Sequence, residues 1–444
     1  MTERLVVIGG DAAGMSAASQ ARRRRDDLDV VVFERGRYTS YSACGIPYVV
    51  SGDVDSIEAL VARSPEQHRA NRIDVRMGHE VTAVDLDARR VTVWDHGRSR
   101  ELQLGFDHLL FGTGARPLRP PIDGIDADFV HGVQTLDDAT HLLEHARVSR
   151  ARRVVVVGGG YIGIEMAEAF QHWGAEVTVL DAAPHVMRTF DADMAARIET
   201  AMRSHGIEVR TGVGVSGFEP GHVLVGDERI PADLVVLGLG VVPNSELAAE
   251  AGVAVGARGA IMVDRRQATS AAGVWAAGDC AETFHRVSER WMHVALGTVA
   301  NRAGRVAGIN IAGGYASFPG VVGTAVSKVC ATEVARTGLN ETEAAAAGFD
   351  YRSATIEATT RAGYYPGARP MAVKMLAERG TGRVLGAQIV GEEGAAKRID
   401  VVATAITARL TVADLIDLDL SYAPPFSSVW DPVAIAARAV DAAR

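Results

Sequence analysis

The sequence predicts an α/β protein with two Rossmann-like domains and a C-terminal α+β domain. The prediction depends first on two glycine-rich turns, at residues 9–14 and 158–163, each of which follows a run of β-branched residues and leads into a helix. It depends also on Glu34 and Asp181, which end the next predicted strand in each half. The repetition of turn and acidic residue in one chain indicates two dinucleotide-binding sites.

The two turns differ at one position. In the first turn Gly9 and Gly14 occupy the outer positions of the G-x-G-x-x-G pattern, whereas Asp11 takes the place of the middle glycine. The second turn matches the pattern in full, with Gly158, Gly160 and Gly163. Glycines at these positions allow backbone N–H groups and a helix N-terminus to approach a pyrophosphate closely. The carboxylates that follow are expected to accept hydrogen bonds from the adenine ribose.

The remaining segments divide the chain into three parts. Pro117 begins a proline-rich crossover, and a later strand that ends at Gly278 and Asp279 is expected to return the chain to the first domain. From about Gly320 the pattern changes to alternating strands and alanine-rich helices, typical of an α+β domain. The expected boundaries are residues 1–117 and 245–320 for the first domain, 118–244 for the second and 321–444 for the third.

Composition excludes several classes of protein. With 55 acidic and 46 basic residues the chain carries a net charge of −9, which argues against a nucleic-acid partner. Three cysteines cannot form a disulfide framework, and no apolar stretch reaches membrane-spanning length. The chain leads directly into a core strand instead of a signal peptide, so a cytoplasmic location is expected. His141 and His145 lack a third ligand, and no metal site is predicted.

These features together resemble the FAD- and pyridine nucleotide-dependent disulfide oxidoreductases over essentially the whole chain. The resemblance implies that the first domain binds FAD, the second binds NADH or NADPH, and the third forms a homodimer. It also implies that Thr113 and Gly114 lie beside the flavin and that Asp279 binds the ribityl chain of FAD. Asp181 favours NADH, because a carboxylate accepts a 2′-hydroxyl and repels a 2′-phosphate. His185 and Arg188 nearby leave NADPH possible.

The destination of the electrons depends on Cys44, which lies shortly after the predicted FAD strand among small residues. As a thiolate this residue could pass electrons to sulfur. Two-cysteine reductases need a second cysteine five residues later, where this chain has Val49. Three uses of a single cysteine remain open: a mixed disulfide with an external thiol, a sulfenic acid that reduces peroxide or oxygen, or no catalytic role.

Two tyrosine-containing turns favour the first of these uses. Relatives that reduce peroxide or oxygen carry a histidine where this chain has Ala12. The coenzyme A-disulfide reductases instead place tyrosines of the partner subunit at the thiol, and their segments resemble Tyr-Tyr-Pro-Gly and Tyr-Ala-Pro-Pro in this chain. The catalytic residues implied by this resemblance are Cys44, Tyr364, Tyr365 and Tyr422.

The resemblance also implies a site for coenzyme A. The matching substrate-contacting positions are Gln20, Arg23, Ser40 and Arg72, and bulky Trp430 is expected to narrow the thiol entrance. The expected function is therefore an NADH-preferring flavoprotein reductase of coenzyme A disulfide or related persulfides and polysulfides. The alternatives are an NADH oxidase that reduces oxygen and a flavin-bound redox sensor with little turnover.

Overall fold

The computed structural model describes residues 2–443. Its first region begins with a parallel sheet. Hydrophobic β-branched residues form its central strands, which are buried on both faces. The elements in chain order are β1 (Arg4–Ile8), α1 (Ala12–Arg24), β2 (Asp29–Glu34), α2 (Ile46–Ser51), α3 (Pro65–Ala70), β3 (Asp74–Met77), β4 (His79–Asp85), β5 (Arg90–Asp95), β6 (Arg100–Gly105), β7 (His108–Phe111) and β8 (Ala115–Pro117).

A second parallel sheet follows. Its elements are β9 (Val130–Gly132), α4 (Leu136–Ser149), β10 (Arg153–Val157), α5 (Tyr161–His172), β11 (Glu176–Asp181), α6 (Ala192–Ser204), β12 (Glu208–Thr211), β13 (Gly217–Glu219), β14 (His222–Val225), β15 (Glu228–Pro231), β16 (Leu234–Leu237), β17 (Val241–Pro243) and α7 (Glu246–Glu250). The strand order is β12-β11-β10-β16-β9, and β13, β14 and β15 form a separate antiparallel sheet.

The chain then returns to the first sheet. The elements of this return are β18 (Val274–Ala276), β19 (Glu282–His285), β20 (Arg290–His293) and α8 (Gly297–Ile311). Strand β18 pairs in parallel with β7, so the first sheet has the order β18-β7-β1-β2-β3. Because β1 and β7 are neighbours and parallel, their carboxyl ends meet at one edge, where open α/β sheets bind ligands.

An antiparallel sheet of order β21-β22-β25-β24-β23 forms the last region. Its elements are β21 (Ala325–Val329), β22 (Thr332–Gly338), α9 (Glu341–Ala347), β23 (Tyr351–Thr359), β24 (Pro370–Glu378), β25 (Val384–Gly391), α10 (Ile399–Ala408), α11 (Val412–Ile416) and α12 (Pro432–Ala442). Helices α10 and α12 pack on this sheet. The predicted fold class is thereby confirmed.

None of the helices within residues 2–443 is long and apolar enough to cross a membrane.

Helices α1 and α8 pack closely because two glycines of α8 face the backbone of α1. A Cβ atom at Gly304 would lie 2.2 Å from the carbonyl oxygen of Ala13, and one at Gly308 would lie 2.3 Å from that of Ala17. Real Cβ atoms do not approach backbone oxygens so closely. The two glycines therefore set the distance between the helices and, through Ala13, the position of the first glycine turn.

We predict that Gly304→Ala destabilises the first region and weakens retention of FAD. The added methyl group must push α8 away from α1, and overpacking of this kind costs about 1–3 kcal/mol. Gly105→Ala is the matched control, since Gly105 lies outside the cleft and a Cβ there would meet only the carbonyl oxygen of Arg89, at 3.7 Å. Thermal melting and the ratio of flavin to protein after gel filtration check the prediction. Equal melting temperatures for the two variants would contradict it.

Candidate active site

A single cleft of about 2220 Å³ brings the two glycine turns together. The carboxyl ends of both parallel sheets line it, and residues 324–328 of the last region close one side. Cys44 and Asp279 also line this cleft. The sequence placed these groups far apart along the chain, and the fold collects them around one space.

In both turns the outer glycines are required by close backbone contacts. Gly9 has φ +102°, and a Cβ there would lie 2.2 Å from the carbonyl oxygen of Gly112. Gly158 has φ +100°, and its Cβ would lie 2.5 Å from the carbonyl oxygen of Gly238. At the middle glycine of the second turn, Gly160, a Cβ would meet only one protein atom, 3.8 Å away. That position therefore faces open space in the cleft, as a turn that receives a pyrophosphate requires.

The acidic residues at the strand ends hold the turns in place. Glu34 accepts hydrogen bonds from the backbone N–H groups of Gly10 at 2.8 Å and Gly36 at 2.7 Å. Asp181 accepts equivalent bonds from Gly159 at 2.7 Å and Ala183 at 2.8 Å. Each carboxylate oxygen can accept a second hydrogen bond, so both groups retain capacity for ribose hydroxyls.

Asp11 does not extend into the cleft as a free carboxylate. Its Oδ1 accepts a hydrogen bond from the backbone N–H of Tyr41 at 3.0 Å. Burial is the main cause that raises the pKa of Asp11 to about 6, and Glu34 and Asp279 add to the rise. The aspartate therefore links the first turn to the loop that carries Cys44.

Asp279 supplies an observation that tests the fit of FAD. Among residues 2–443 its Oδ1 is a buried atom without a hydrogen-bond partner, and burial raises the pKa of the carboxyl to about 6. Buried polar atoms in folded proteins almost always have a partner, which a hydroxyl-bearing chain in the cleft would provide. Thr113 and Gly114 line the same end of the cleft, and Thr113 is held by a hydrogen bond from its Oγ1 to the carbonyl of Asn244 at 2.5 Å. The residues present fit FAD.

Cys44 lies in a single 3₁₀ turn immediately before α2 and is exposed to the cleft. The preceding loop is fixed to the first glycine turn, because the backbone N–H of Ser40 donates to the carbonyl of Gly10 at 3.1 Å. Desolvation is the largest cause that raises the pKa of the Cys44 thiol, followed by the negative charges of Glu165 and Asp279. The protein groups around Cys44 thus favour the thiol form over the thiolate.

Sequence reasoning missed two residues of α5, Tyr161 and Glu165, which line the cleft together with Cys44. Within the described part of the chain, the Tyr161 hydroxyl is buried without a hydrogen-bond partner. Glu165 accepts a hydrogen bond from the Ser327 hydroxyl at 2.7 Å, and burial raises the pKa of its carboxyl. Their spacing of four residues, directly after the second turn, was the available signal, since such residues share one helix face.

The four expected coenzyme A contacts lie outside this cleft. Gln20 and Arg23 are on the last turns of α1, and the Nε of neighbouring Arg22 donates to the carbonyl of Arg72 at 3.1 Å. The structure therefore brings this end of α1 beside Arg72. The Ser40 hydroxyl lies 2.9 Å from Nε2 of His68, which is buried.

The tyrosine turns meet each other at the surface of the last region. The side chain of Tyr364 is 77% exposed and that of Tyr422 is 46% exposed, and the neighbouring Tyr422 hydroxyl is the main cause that raises the pKa of Tyr364. The backbone N–H of Ala362 donates to the carbonyl of Pro424 at 3.1 Å and joins the two turns, while Tyr365 is half-buried. Of the described residues that line the cleft, none is one of these tyrosines.

Trp430 lies beyond the second tyrosine turn and is also exposed. The guanidinium of Arg438, on α12, stacks over its ring at 5.0 Å from the centroid. This contact holds the indole on the outer surface of the last region.

Comparisons with known proteins agree with this geometry. The family model for pyridine nucleotide-disulphide oxidoreductases matches residues 3–304, and the model for their dimerisation domain matches residues 324–434. The chain is 40% identical to a NAD(P)H coenzyme A polysulfide/persulfide reductase of Pyrococcus horikoshii, over 99% of this chain and 98% of the relative. It is 35% identical to an NADH oxidase of Methanocaldococcus jannaschii, over 98% of each chain.

Solved structures give the same result. A NAD-dependent persulfide reductase from A. fulgidus superimposes with a TM-score of 0.95 at 40% identity, covering 98% of this chain and 82% of that chain. A water-forming NADH oxidase from Lactobacillus brevis has a TM-score of 0.95 at 29% identity, covering 99% of this chain and 98% of that chain. The family expected from the sequence is confirmed: the chain belongs to the pyridine nucleotide-disulphide oxidoreductases.

Proposed function

We propose that the protein is an NADH-preferring flavoprotein reductase that acts on coenzyme A disulfide or related persulfides and polysulfides. The observation that carries the proposal is one cleft that holds two dinucleotide turns and a single accessible cysteine. The names of the relatives support it, because a reductase of coenzyme A polysulfides and persulfides matches over nearly the full length of both chains. The overall reaction consumes NADH, a proton and a disulfide, and yields NAD⁺ and two thiols.

Each region has a separate task in this reaction. Gly9, Gly14, Glu34 and Asp279 would hold FAD, which supplies the path for two electrons between nicotinamide and sulfur. The second turn and Asp181 would hold NADH. Tyr161 and Glu165 line the same cleft as Cys44 and would exclude water from part of it.

Cys44 would carry the substrate sulfur. Its thiolate attacks one sulfur of the disulfide, forms a Cys44–substrate disulfide and releases the first thiolate, which takes a proton. Two electrons from NADH then break the new disulfide, release the second thiolate and restore the Cys44 thiolate. A tyrosine hydroxyl close to sulfur is a suitable proton donor for the departing thiolate. Because Tyr364 and Tyr422 do not line the cleft of their own chain, we infer that a partner subunit supplies them.

Coenzyme A would bind on the basic side of the first region. Arg23 and Arg72 are exposed there, and their guanidinium groups suit the phosphates of coenzyme A. Gln20, on the same helix as Arg23, and Ser40 would add neutral hydrogen-bonding groups. Trp430 of the partner would narrow the approach to the thiol.

Oxygen reduction is the second candidate, and the NADH oxidase from Methanocaldococcus jannaschii favours it. One steady-state measurement separates the candidates: NADH consumption without oxygen, in the presence of coenzyme A disulfide, polysulfide or no acceptor. Turnover with a sulfur acceptor supports the reductase. Turnover only in air supports the oxidase, and negligible turnover under every condition supports a redox sensor.

We predict that Cys44→Ser keeps bound FAD and its reduction by NADH but loses disulfide turnover. The two half-reactions use different residues, so only the sulfur step should fail. Cys330→Ser is the control, because Cys330 lies in a turn of the last region and should leave both half-reactions intact. Stopped-flow flavin absorbance and thiol release measure the two steps. Disulfide turnover that persists in Cys44→Ser would remove the cysteine from the mechanism.

We predict that kcat/KM is on the order of a hundredfold higher for NADH than for NADPH. A 2′-phosphate would lose a hydrogen bond to Asp181 and meet its negative charge, at a cost of about 2–3 kcal/mol. Arg188→Ala should lower only the residual NADPH activity, since Arg188 is an exposed cation on the same cleft. Equal use of both nucleotides by the unmodified enzyme would show that the charge of Asp181 does not select the cofactor.

We predict that Tyr422→Phe slows the sulfur half-reaction by about 10²-fold and that its defect is complemented across subunits. A heterodimer of a Cys44→Ser chain with a Tyr422→Phe chain keeps one unmodified site when Cys44 and Tyr422 meet across the interface. The heterodimer should therefore show about half of the disulfide turnover of the unmodified enzyme, whereas neither parent homodimer reaches that level.

The matched control for this heterodimer carries both substitutions on one chain and none on the other. When the site is shared, this control has no unmodified site and stays slow. When the two residues act within one chain, the opposite result is expected. The control heterodimer is then half active, and the first heterodimer has no unmodified site. Purification with two different affinity tags ensures that only heterodimers are measured.

A further inference from the structure

The loop between β11 and α6, residues 182–191, is here called the ribose loop because it follows Asp181. Residues 182, 183 and 187–189 of the loop line the cleft. The backbone N–H of Met187 donates to the carbonyl of Gly159 at 2.8 Å, so the loop also touches the second glycine turn. Its position therefore shapes the space in which the adenosine half of a dinucleotide would lie.

The last region holds this loop at Thr189. Arg336, on β22, is 6% exposed and donates from Nη1 to the carbonyl of Thr189 at 2.7 Å. Asn340, which caps α9 and is 4% exposed, donates from Nδ2 to the same oxygen at 3.2 Å. The carboxylate of Glu343 pairs with Arg336 at 2.6 Å and fixes the direction of the guanidinium.

A second attachment lies two residues later, at Asp191. Gln388 of β25 accepts from the backbone N–H of Asp191 at 2.8 Å and donates from Nε2 to its Oδ2 at 2.6 Å. The backbone N–H of Glu341 donates to Oδ1 of Asp191 at 3.0 Å. The ammonium of Lys374 lies 3.3 Å from Asp191 and 2.8 Å from Asp193.

These contacts differ from ordinary surface pairs because both sides are buried. Asp191, Gln388 and Lys374 are each at most 6% exposed. Loss of one partner leaves a buried polar group unsatisfied, which the remaining structure can relieve only by moving the loop or admitting water. A loop that is already ordered spares a ligand the entropy of ordering it on binding.

We propose that Arg336, Asn340 and Gln388 of the last region are positioning residues for the pyridine nucleotide. They hold the ribose loop in the conformation that receives the adenosine half, so the dimerisation domain sets the affinity of a site that lies in another domain. The inference rests on the proposed binding of NADH at the second glycine turn. It adds a role for the last region that is separate from subunit contact and from the tyrosines.

The test uses the FAD-loaded dimer with Arg336→Met and Gln388→Leu. Arg336→Lys is the conservative variant, since an ammonium keeps the charge beside Glu343. Arg197→Ala is the matched control: Arg197 of α6 pairs with Glu357 of β23, between the same two regions, but lies six residues beyond the end of the ribose loop. The measurements are the melting temperature, the dissociation constants of NADH and ADP-ribose, the KM of the sulfur acceptor, and amide hydrogen exchange over residues 182–191.

We expect Arg336→Met and Gln388→Leu to raise the dissociation constants of NADH and ADP-ribose in parallel, by about tenfold, with faster exchange in the ribose loop. Arg336→Lys should recover part of the affinity, and Arg197→Ala should change neither quantity. The KM of the sulfur acceptor should stay within twofold, because Cys44 lies on a different loop.

Unchanged affinity and unchanged exchange in the substituted proteins would overturn the inference. So would an equal loss in Arg197→Ala, or a parallel rise in the KM of the sulfur acceptor, because either result indicates general loosening. If Arg336→Met does not fold, Asn340→Ala serves in its place. This substitution removes the longer hydrogen bond to the carbonyl oxygen of Thr189 and must still weaken ADP-ribose binding. Failure of the unmodified protein to bind NADH or ADP-ribose would instead reject the proposed function.

Discussion

Both dinucleotide sites depend on the same kind of backbone contact. In each site a glycine with positive φ lies against the carbonyl at the end of the neighbouring strand. Gly9 makes this contact with Gly112, and Gly158 makes it with Gly238. No side chain fits between them, so the turn can bring a helix N-terminus to the edge of the sheet. Glu34 and Asp181 then bond to the amides of these turns, and the Cys44 loop bonds to Gly10. The two glycine turns therefore determine the positions of the strand-end carboxylates and of the Cys44 loop in the cleft.

The departure of the first turn from the glycine pattern has a structural explanation. At the middle position of the second turn a Cβ would face open space, so a side chain is sterically allowed at the equivalent position of the first. Asp11 uses that freedom to bond the backbone of Tyr41, three residues before Cys44. A carboxylate beside a pyrophosphate is electrostatically unfavourable, and the pKa of about 6 reduces that cost, because a proton can neutralise Asp11 more easily than an exposed aspartate.

The sequence was sufficient for the fold class and the family, because glycine turns and strand-end carboxylates are local signals, whereas the role given to Cys44 stays a prediction. It did not identify Tyr161, Glu165 or the attachment of the ribose loop. Those features depend on which surfaces meet after folding: Glu165 meets Ser327 across 162 positions, and Gln388 meets Asp191 across 197. Polar contacts between residues so far apart in the sequence follow no periodic pattern, so the sequence alone does not reveal them. The roles given to Gln20, Arg23, Ser40 and Arg72 stay predictions.

The acidic surroundings of Cys44 are consistent with a sulfur relay, although they disfavour the thiolate at equilibrium. A thiol whose pKa is raised gives a thiolate that is less abundant but more nucleophilic. In the proposed reaction the Cys44 thiolate is generated by cleavage of the disulfide and not by acid–base equilibrium, so low abundance is no obstacle while substrate is present. In its absence burial favours protonation of the Cys44 sulfur, with Glu165 and Asp279 adding to the effect, and a protonated thiol resists oxidation to sulfenic acid. The burial and charges that would limit reaction with peroxide would thus leave attack on a bound disulfide available.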